Sequence, residues 1–237
     1  MRSEVERGDE RDGRMKDAED ESRGVVVRGD PALVDLGKRI SDCRQCVLQP
    51  ERQPLPHEPR PVCVLSSHAR IAICGQAPGT RVHASGRPFT DPSGDRLRDW
   101  LGIGPEVFYD PCRVAIVPMG FCFPGLDAKG GDRPPRSECR KLWHDRVFEA
   151  MPNVGLRIVI GSYAQAYHLG EHRRSTLSAT VADWREVLAA TRKEGRPAIA
   201  LPHPSWRNNA WLRRNPWFEQ ECLPVLREEV AALLGEA

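Results

Sequence analysis

The sequence predicts an α/β protein: a three-layer sandwich with a central four-stranded parallel sheet flanked by helices. Four short, nearly continuous apolar runs support this prediction, each bounded by glycine or proline: residues 70–74, 113–118, 156–161 and 197–202. Such runs are typical of strands that are buried on both faces. Helical stretches separate the runs, and this alternation favours βαβ crossovers and therefore a parallel sheet.

Helices are predicted before, between and after these strands. After the first strand, Leu97, Trp100 and Leu101 recur at helical spacing. In the last helix, Pro216 stands near the first position, where proline is favoured, whereas Pro224 lies inside and should kink or split it. The predicted helices cover residues 34–46, 93–101, 136–151, 162–169, 177–191 and 217–234.

Residues 1–30 are predicted to be a disordered tail, and residues 31–237 to form one α/β domain. Seventeen of the thirty tail residues are charged, and the only apolar cluster is Val25-Val26-Val27. Such a segment buries too little apolar surface to offset the entropy lost on ordering. The whole chain carries a net charge of +2, and the remainder, with 28 basic and 23 acidic side chains, carries +5. A mildly basic domain permits nucleic-acid binding without requiring it.

Membrane insertion and secretion are not expected. No run approaches the roughly 18 apolar residues that a membrane span needs, and the N-terminus lacks an apolar signal core. We therefore expect a cytoplasmic protein with no membrane partner. In a reducing cytoplasm, paired cysteines more often bind metal than form disulfides.

Four of the eight cysteines are spaced as metal ligands. Cys43 and Cys46 form a CxxC pair, and Cys122 and Cys139 bracket a loop rich in glycine, proline and charge that has no core of its own. The wide second spacing favours an iron–sulfur cluster, with zinc as the alternative. The other cysteines lie within or beside apolar runs or on the last helix, and are predicted to be ordinary buried or surface thiols: Cys63, Cys74, Cys112 and Cys222.

Two segments that follow strands are predicted to form the lips of a small-molecule pocket. Gly75-Gln76-Ala77-Pro78-Gly79 follows the first strand, and His203-Pro204-Ser205 follows the fourth. The carboxyl ends of parallel strands meet at one edge of a sheet, where ligands bind. Taken singly, the first segment could be only a tight turn, and His203 a capping residue.

The ordered set of motifs resembles the uracil-DNA glycosylase superfamily over about residues 35–230. Residues 75–79, 86–89 and 93–94 resemble its first motif, residues 203–205 match its second, and residues 214–216 resemble the positions shortly after the second motif. The cysteine order resembles the iron–sulfur branch, family 4. The resemblance implies a monomeric, monofunctional glycosylase that hydrolyses the N-glycosidic bond of deoxyuridine, acts on DNA with an extruded base and serves base excision repair. It also implies a structural 4Fe–4S cluster.

The resemblance assigns a role to each motif residue. His203 would donate a hydrogen bond to the departing anionic base, and Phe89 would stack on the extruded ring. Gln76 stands where the branch usually has Glu; its amide can orient water but cannot deprotonate it. The remaining assignments are base contact by the backbone of Gly75, Gln76, Ala77, Pro78 and Gly79, phosphate contact by Ser93 and Ser205, and cluster ligation by Cys43, Cys46, Cys122 and Cys139.

The loop after His203 is predicted to bind DNA. Arg207, Arg213 and Arg214 would neutralise phosphates, and an apolar side chain would wedge into the base stack. The alternative is a solvated loop in which Trp211 and Leu212 fold onto the core.

One departure from the family affects the substrate. Pro118 stands where the family has an Asn that reads the base edge, and proline has neither a side-chain amide nor an N–H. Hydrogen bonding discriminates more strongly than shape, so a related deaminated base is an alternative to uracil. A non-catalytic nucleic-acid- or nucleotide-binding protein with the same fold is the alternative from another class.

Overall fold

The computed structural model of the protein describes residues 24–235, which contain one mixed sheet of six strands. The spatial order of the strands is β1-β2-β4-β3-β5-β6. All neighbouring pairs are parallel except β2 and β4, which meet through one antiparallel bridge, Val64 to Ile116. The strands are β1 Val25–Arg28, β2 Cys63–Ser66, β3 Ile71–Cys74, β4 Val114–Ile116, β5 Leu156–Ile160 and β6 Ala198–Leu201.

The four predicted strands are confirmed as β3 to β6, which form a continuous parallel block. Nearly every residue in this block is buried, as expected for strands covered on both faces. The predicted count of four strands is wrong, because β1 and β2 extend the sheet at one edge. β2, Cys63–Ser66, follows a proline-rich connection and has no glycine or proline at its carboxyl end, so it lacks the boundaries by which β3 to β6 are recognised.

The predicted boundary of the charged tail at residue 30 is also corrected. Residues 1–23 of that tail lie outside the described residues, but Val25–Arg28 form β1 and pair with β2. Val27 packs so closely on the first helix that a Cβ on Gly37 would lie 2.3 Å from its Cγ2. The three consecutive valines therefore form hydrogen bonds with β2 and pack on the first helix. The amino-acid composition of the segment does not predict these tertiary contacts.

Twelve α-helical segments are found in residues 24–235, most of them short. None of these helices is long and apolar enough to cross a lipid bilayer. They are α1 Pro31–Ser41, α2 Gln45–Leu48, α3 Thr80–Ser85, α4 Pro92–Leu101, α5 Pro105–Phe108, α6 Ser137–Cys139, α7 Asp145–Glu149, α8 Ser162–His168, α9 Leu177–Ala182, α10 Trp184–Lys193, α11 Asn209–Arg214 and α12 Leu223–Leu234.

Four predicted helices are interrupted. The helix predicted over residues 34–46 ends at Ser41, and α2 begins separately at Gln45. The helix predicted over residues 136–151 contains a π-helical turn, Arg140–His144, between α6 and α7. A second such turn, Phe218–Cys222, precedes α12 and places Pro224 in its first turn, where the missing N–H breaks no helical hydrogen bond. The helix predicted over residues 177–191 divides at Asp183 into α9 and α10.

Two histidines are buried in the core beside α8. The His144 ring is fully buried, stacks on Phe121 and meets Tyr167 edge-on, and neither of its ring nitrogens has a hydrogen-bond partner within residues 24–235. Burial lowers the pKa of His144 to about 4 and lowers that of His168 well below its usual value. Both rings are therefore neutral near neutral pH.

Acid should destabilise this protein through His144. Below about pH 6.5 the His144 ring binds a proton in the unfolded chain but stays neutral in the folded chain. The free energy of unfolding therefore decreases as the pH falls toward about 4. Between about pH 7.5 and about pH 5 we expect His144 to remove about 2 kcal/mol from the free energy of unfolding. Urea unfolding at both pH values should show a smaller loss in His144→Phe. The solvent-exposed His68 supplies the control: if His68→Gln reduces the loss equally, the explanation is wrong.

Candidate active site

The two predicted lips meet in one pocket of about 350 Å³ at the carboxyl edge of the parallel block. The turn after β3 forms one wall and His203, after β6, forms part of the opposite wall. Pro118 and Ile160 line the pocket from the ends of β4 and β5. The predicted base-binding residues Gly75, Gln76, Ala77, Pro78, Gly79 and Phe89 all line it, together with Ser93.

Backbone hydrogen bonds hold the 75–79 turn in place. The N–H groups of Met119 and Gly120 donate to the carbonyls of Gly75 and Gln76, at 2.9 and 3.0 Å. These bonds continue the pairing of β3 and β4 beyond the strands. The Gln76 side-chain amide has no hydrogen-bond partner within residues 24–235, so its donors and acceptor remain available in the pocket.

Phe89 is held in a strained backbone conformation, with a φ of 57° that is uncommon outside glycine. Its carbonyl accepts hydrogen bonds from the Tyr109 hydroxyl at 2.8 Å and from Arg98 at 3.2 Å. Its ring meets Phe108 edge-on. A Cβ on Gly94 would lie only 1.9 Å from the Phe89 carbonyl oxygen, so glycine at 94 is required for this approach.

His203 stands at the pocket mouth, where its side chain reaches solvent. The surrounding pocket walls partly desolvate the ring and lower its pKa, while Asp91 and Asp132 oppose that shift. Asn208 donates to the His203 carbonyl at 2.7 Å and fixes the backbone. The ring is therefore neutral near neutral pH, with one nitrogen that donates and one that accepts.

The phosphate-binding predictions for the two serines meet a structural constraint. The Ser93 hydroxyl donates to Asp91 at 2.6 Å, and Asp91 is the N-cap of α4. A phosphate at Ser93 would have to displace this bond and lie close to a carboxylate. Ser205 is held through its carbonyl by Arg96 of α4, which also donates to Asn209.

Two acidic residues near His203 were not predicted from the sequence. Asp91 lies before a proline in a capping position, a pattern that could have been recognised. Asp132 lies in the loop between Cys122 and Cys139, and nothing in its local sequence marks it. It lines the pocket, and its Oδ2 lies 3.4 Å from where a Cβ on Gly79 would stand. Partial desolvation raises its pKa, and Arg207 and His203 oppose that shift.

Asp132 is carried by a well-defined hairpin rather than by an irregular loop. Leu126 and Asp132 form an antiparallel bridge, and the Arg133 N–H donates to the Gly125 carbonyl at 2.9 Å. At the tip, the Asp127 carboxylate accepts from two backbone N–H groups, and these bonds lower its pKa. The segment that was predicted to have no core of its own therefore has a defined local structure made by its own hydrogen bonds.

The four predicted cluster cysteines line one small cavity together with Ile40, Phe121 and Trp143. Three of the thiols are buried and Cys43 is partly exposed. A hydrogen bond between the sulfurs of Cys46 and Cys139 lowers the pKa of the first and raises that of the second. Burial raises the pKa of Cys122 to about 12. The fold therefore brings together four sulfur atoms from three separate parts of the chain.

In the predicted DNA loop, the tryptophans separate into two groups. Trp206 is 73% exposed, with the Arg207 guanidinium 5.8 Å from its ring centroid. Trp211 instead packs against Trp217 and Phe218, and its indole N–H donates to Ser178. Arg213 and Arg214 are exposed on α11. Trp211 and Leu212 thus pack against the core, as the alternative describes, whereas Trp206 is exposed.

The fold and this pocket define an α/β protein that takes a small ligand at the carboxyl edge of its parallel strands. A sequence model of the Uracil DNA glycosylase superfamily matches residues 64–227, about two thirds of the chain. The chain therefore belongs to the uracil-DNA glycosylase superfamily, whose members are generally DNA glycosylases that hydrolyse N-glycosyl bonds. The matched region contains β3 to β6, both lips of the pocket and the hairpin.

The close approach of Gly94 to Phe89 predicts an asymmetric response to alanine. Gly94→Ala should lower the free energy of unfolding by about 1–3 kcal/mol because the new methyl group overlaps a backbone carbonyl. Gly75→Ala is the matched control, since a Cβ there would meet no atom within 4 Å. Urea unfolding of the two variants checks this. Equal losses, or a stable Gly94→Ala, would contradict the proposed packing.

Proposed function

We propose that this protein is a monofunctional DNA glycosylase that hydrolyses the N-glycosidic bond of uracil, or of a related deaminated base, in DNA. The observation that carries the proposal is the convergence of a hydrogen-bond donor, an aromatic ring and an unpaired carboxylate on one pocket: His203, Phe89 and Asp132. A volume of about 350 Å³ accommodates one extruded base with its sugar and a water molecule.

In this proposal the pocket holds the base before it reacts. The Phe89 side chain stacks on the ring of the base. Tyr109 and Arg98 already hold the strained Phe89 backbone, so binding does not have to order the phenyl group. The backbone of residues 75–79 closes on the base edge. The NH2 group of the Gln76 amide donates to a carbonyl of the base, which leaves the amide oxygen to accept from the attacking water.

His203 acts on the leaving group. When the glycosidic bond breaks, the base leaves as an anion and the sugar becomes cationic. A neutral imidazole donates to the developing negative charge on the base without being a strong acid. The lowered pKa of His203 supports this role, because the ring is already neutral when the base arrives.

Asp132 acts on the water and the sugar. Its carboxylate makes no hydrogen bond or ion pair within residues 24–235 and faces the pocket mouth beside His203. There it accepts a hydrogen bond from the attacking water, and its negative charge stabilises the cationic sugar. As the new C–O bond forms, the water loses a proton, and a proton neutralises the departed base anion. Gln76, an amide, orients the same water and does not take its proton. Asp132 thus supplies the carboxylate that position 76 lacks.

Few polar groups in the pocket are placed to form hydrogen bonds with the edge of the base. Pro118 is buried at the position of the expected Asn and presents only an apolar surface. Discrimination against cytosine therefore falls to Gln76 and to backbone groups, which is why the proposal includes related deaminated bases beside uracil.

The exposed loop after His203 supplies the DNA contacts. Trp206 is the apolar side chain that projects, so it fills the gap left by the extruded base. Arg207, Arg213 and Arg214 neutralise the neighbouring phosphates.

We also propose that Cys43, Cys46, Cys122 and Cys139 bind a 4Fe–4S cluster, as in the iron–sulfur branch. Within residues 24–235, no three cysteine sulfurs lie within 4.8 Å of one another, whereas a tetrahedral zinc ion, with Zn–S bonds of about 2.3 Å, needs sulfurs about 3.8 Å apart. The apolar surroundings of the four thiols and the wide sequence spacing of Cys122 and Cys139 support the cluster. Such a cluster would cross-link the two ends of the hairpin segment to the CxxC turn.

The catalytic proposal predicts a ranking of three variants. Single-turnover base release should fall about a hundredfold in His203→Ala, because a donor to a developing anion is lost. It should fall about tenfold in Asp132→Ala and less in Gln76→Ala, because water attacks a cation that has already formed. The measurement uses oligonucleotides bearing uracil, hypoxanthine or xanthine, scored for abasic sites.

Asp99→Asn, a change to an exposed carboxylate on α4, is the matched control and should leave the rate unchanged. If Gln76→Ala is the most damaging variant, departure of the base before water attack is the wrong mechanism. If no base is released by the unmodified protein while DNA binding persists, the protein is a binding module. Gln76 and Pro118 are both compatible with that second candidate.

The cluster proposal predicts about four irons per chain in protein purified without oxygen, with a broad brown absorption. Cys122→Ser should reduce the iron content and lower the melting temperature, whereas Cys112→Ser, at an exposed thiol, should change neither. Stoichiometric zinc without iron would overturn the proposal.

A further inference from the structure

A second, larger cavity of about 740 Å³ lies next to the base pocket. One wall is the segment after the hairpin, residues 133–138, and the other is the face of α8 that carries Tyr163 and Tyr167. Met119 also lines the cleft, and Arg52 and Arg140 lie at its sides. None of these residues has a role in the chemistry proposed above.

The two cavities share a wall. Pro118 lines the base pocket and the next residue, Met119, lines the cleft. In the same way Asp132 lines the pocket and Arg133 lines the cleft. Tyr163 stands two residues after Gly161, where β5 ends, so the cleft opens at the same carboxyl edge as the pocket. A strand with one base in the pocket therefore has its neighbouring nucleotides over the cleft.

The cleft combines positive charge with exposed aromatic surface. Arg52, Arg133 and Arg140 make no ion pair with a carboxylate within residues 24–235, whereas Arg136 is neutralised by Glu138. Tyr163 is 42% exposed. Tyr167, one helical turn later, is fixed by its hydroxyl bond to Asp145 and by Arg140, whose guanidinium lies 5.5 Å from the ring centroid. Free guanidinium groups bind phosphates, and an exposed aromatic ring stacks on a base.

We propose that this cleft binds unpaired nucleotides of the DNA strand next to the extruded base, with Tyr163 as the stacking platform. The DNA ligand rests on the proposed function. Stacking on a side chain requires bases that are free of a partner strand, and arginines with interleaved aromatic residues are typical of single-strand tracks. A Watson–Crick duplex cannot enter a cleft of this volume between a helix and a proline-rich wall. The protein therefore prefers single-stranded DNA.

The test measures binding to DNA without any damaged base, so it does not depend on catalysis. The probes are a fluorescent oligothymidylate of about 15 nucleotides and an undamaged hairpin duplex, measured by anisotropy over a range of salt concentrations. Tyr163→Ala should weaken oligothymidylate binding about tenfold, and Tyr163→Phe should retain it. Arg133→Gln with Arg140→Gln should flatten the salt dependence by about 0.7 per arginine. Duplex affinity should stay unchanged in all of them.

Arg146→Gln, at an exposed arginine on α7 that lines a different cavity, is the control and should alter neither affinity. Unchanged oligothymidylate binding in Tyr163→Ala, or an equal loss for the duplex, would overturn the proposal. Selective loss of single-strand binding in a protein that releases no base would leave the cleft assignment standing and refute only the proposed enzymatic function.

Discussion

Two backbone hydrogen bonds just beyond the sheet hold the candidate site together. The N–H groups of Met119 and Gly120 donate to the carbonyls of Gly75 and Gln76, so the chain after β4 runs alongside the turn after β3. The base pocket, the cleft and the cysteine cavity all border the five residues from Pro118 to Cys122. If these bonds were lost, the pocket would lose its floor and Cys122 its fixed position.

The hairpin begins directly after that same segment and contributes side chains to both the pocket and the cleft. It leaves the core after Cys122 and returns before Cys139, and between them it presents Asp132 to the pocket and Arg133 to the cleft. Its own hydrogen bonds define its shape, and its two ends join it to the core at Cys122 and Cys139. A cluster on the four cysteines would therefore position a proposed water-binding carboxylate, although the cluster itself lies in a different cavity.

The sequence predicted what depends on local pattern. Strands β3 to β6 were found because each is buried on both faces and reads as a continuous apolar run, and the pocket lips were found because they follow such runs. Strand β1 was missed because its three valines lie in a segment dominated by charge. They become a strand only through hydrogen bonds to β2, which is distant in the sequence. Asp132 was missed because its importance comes from tertiary placement: in the chain it is one acidic residue among glycines and prolines. Likewise, the sequence offered the packing of Trp211 only as an alternative, because the contact with Trp217 and Phe218 depends on the tertiary fold.

The departure at Pro118 is compatible with the geometry of β4. In a parallel pair, alternate N–H groups face the same neighbour, and here Val117 and Met119 donate to the carbonyls of Ile73 and Gly75. The N–H of residue 118 would face the other way, toward β2, where the pairing is already reduced to one bridge at Ile116. Proline at 118 therefore removes no hydrogen bond to β3, and it helps to end the pairing with β2. The backbone of the pocket floor thus tolerates proline as readily as asparagine. In the proposed function, position 118 therefore affects how the base is read, while the backbone shape of the site is set by its neighbours.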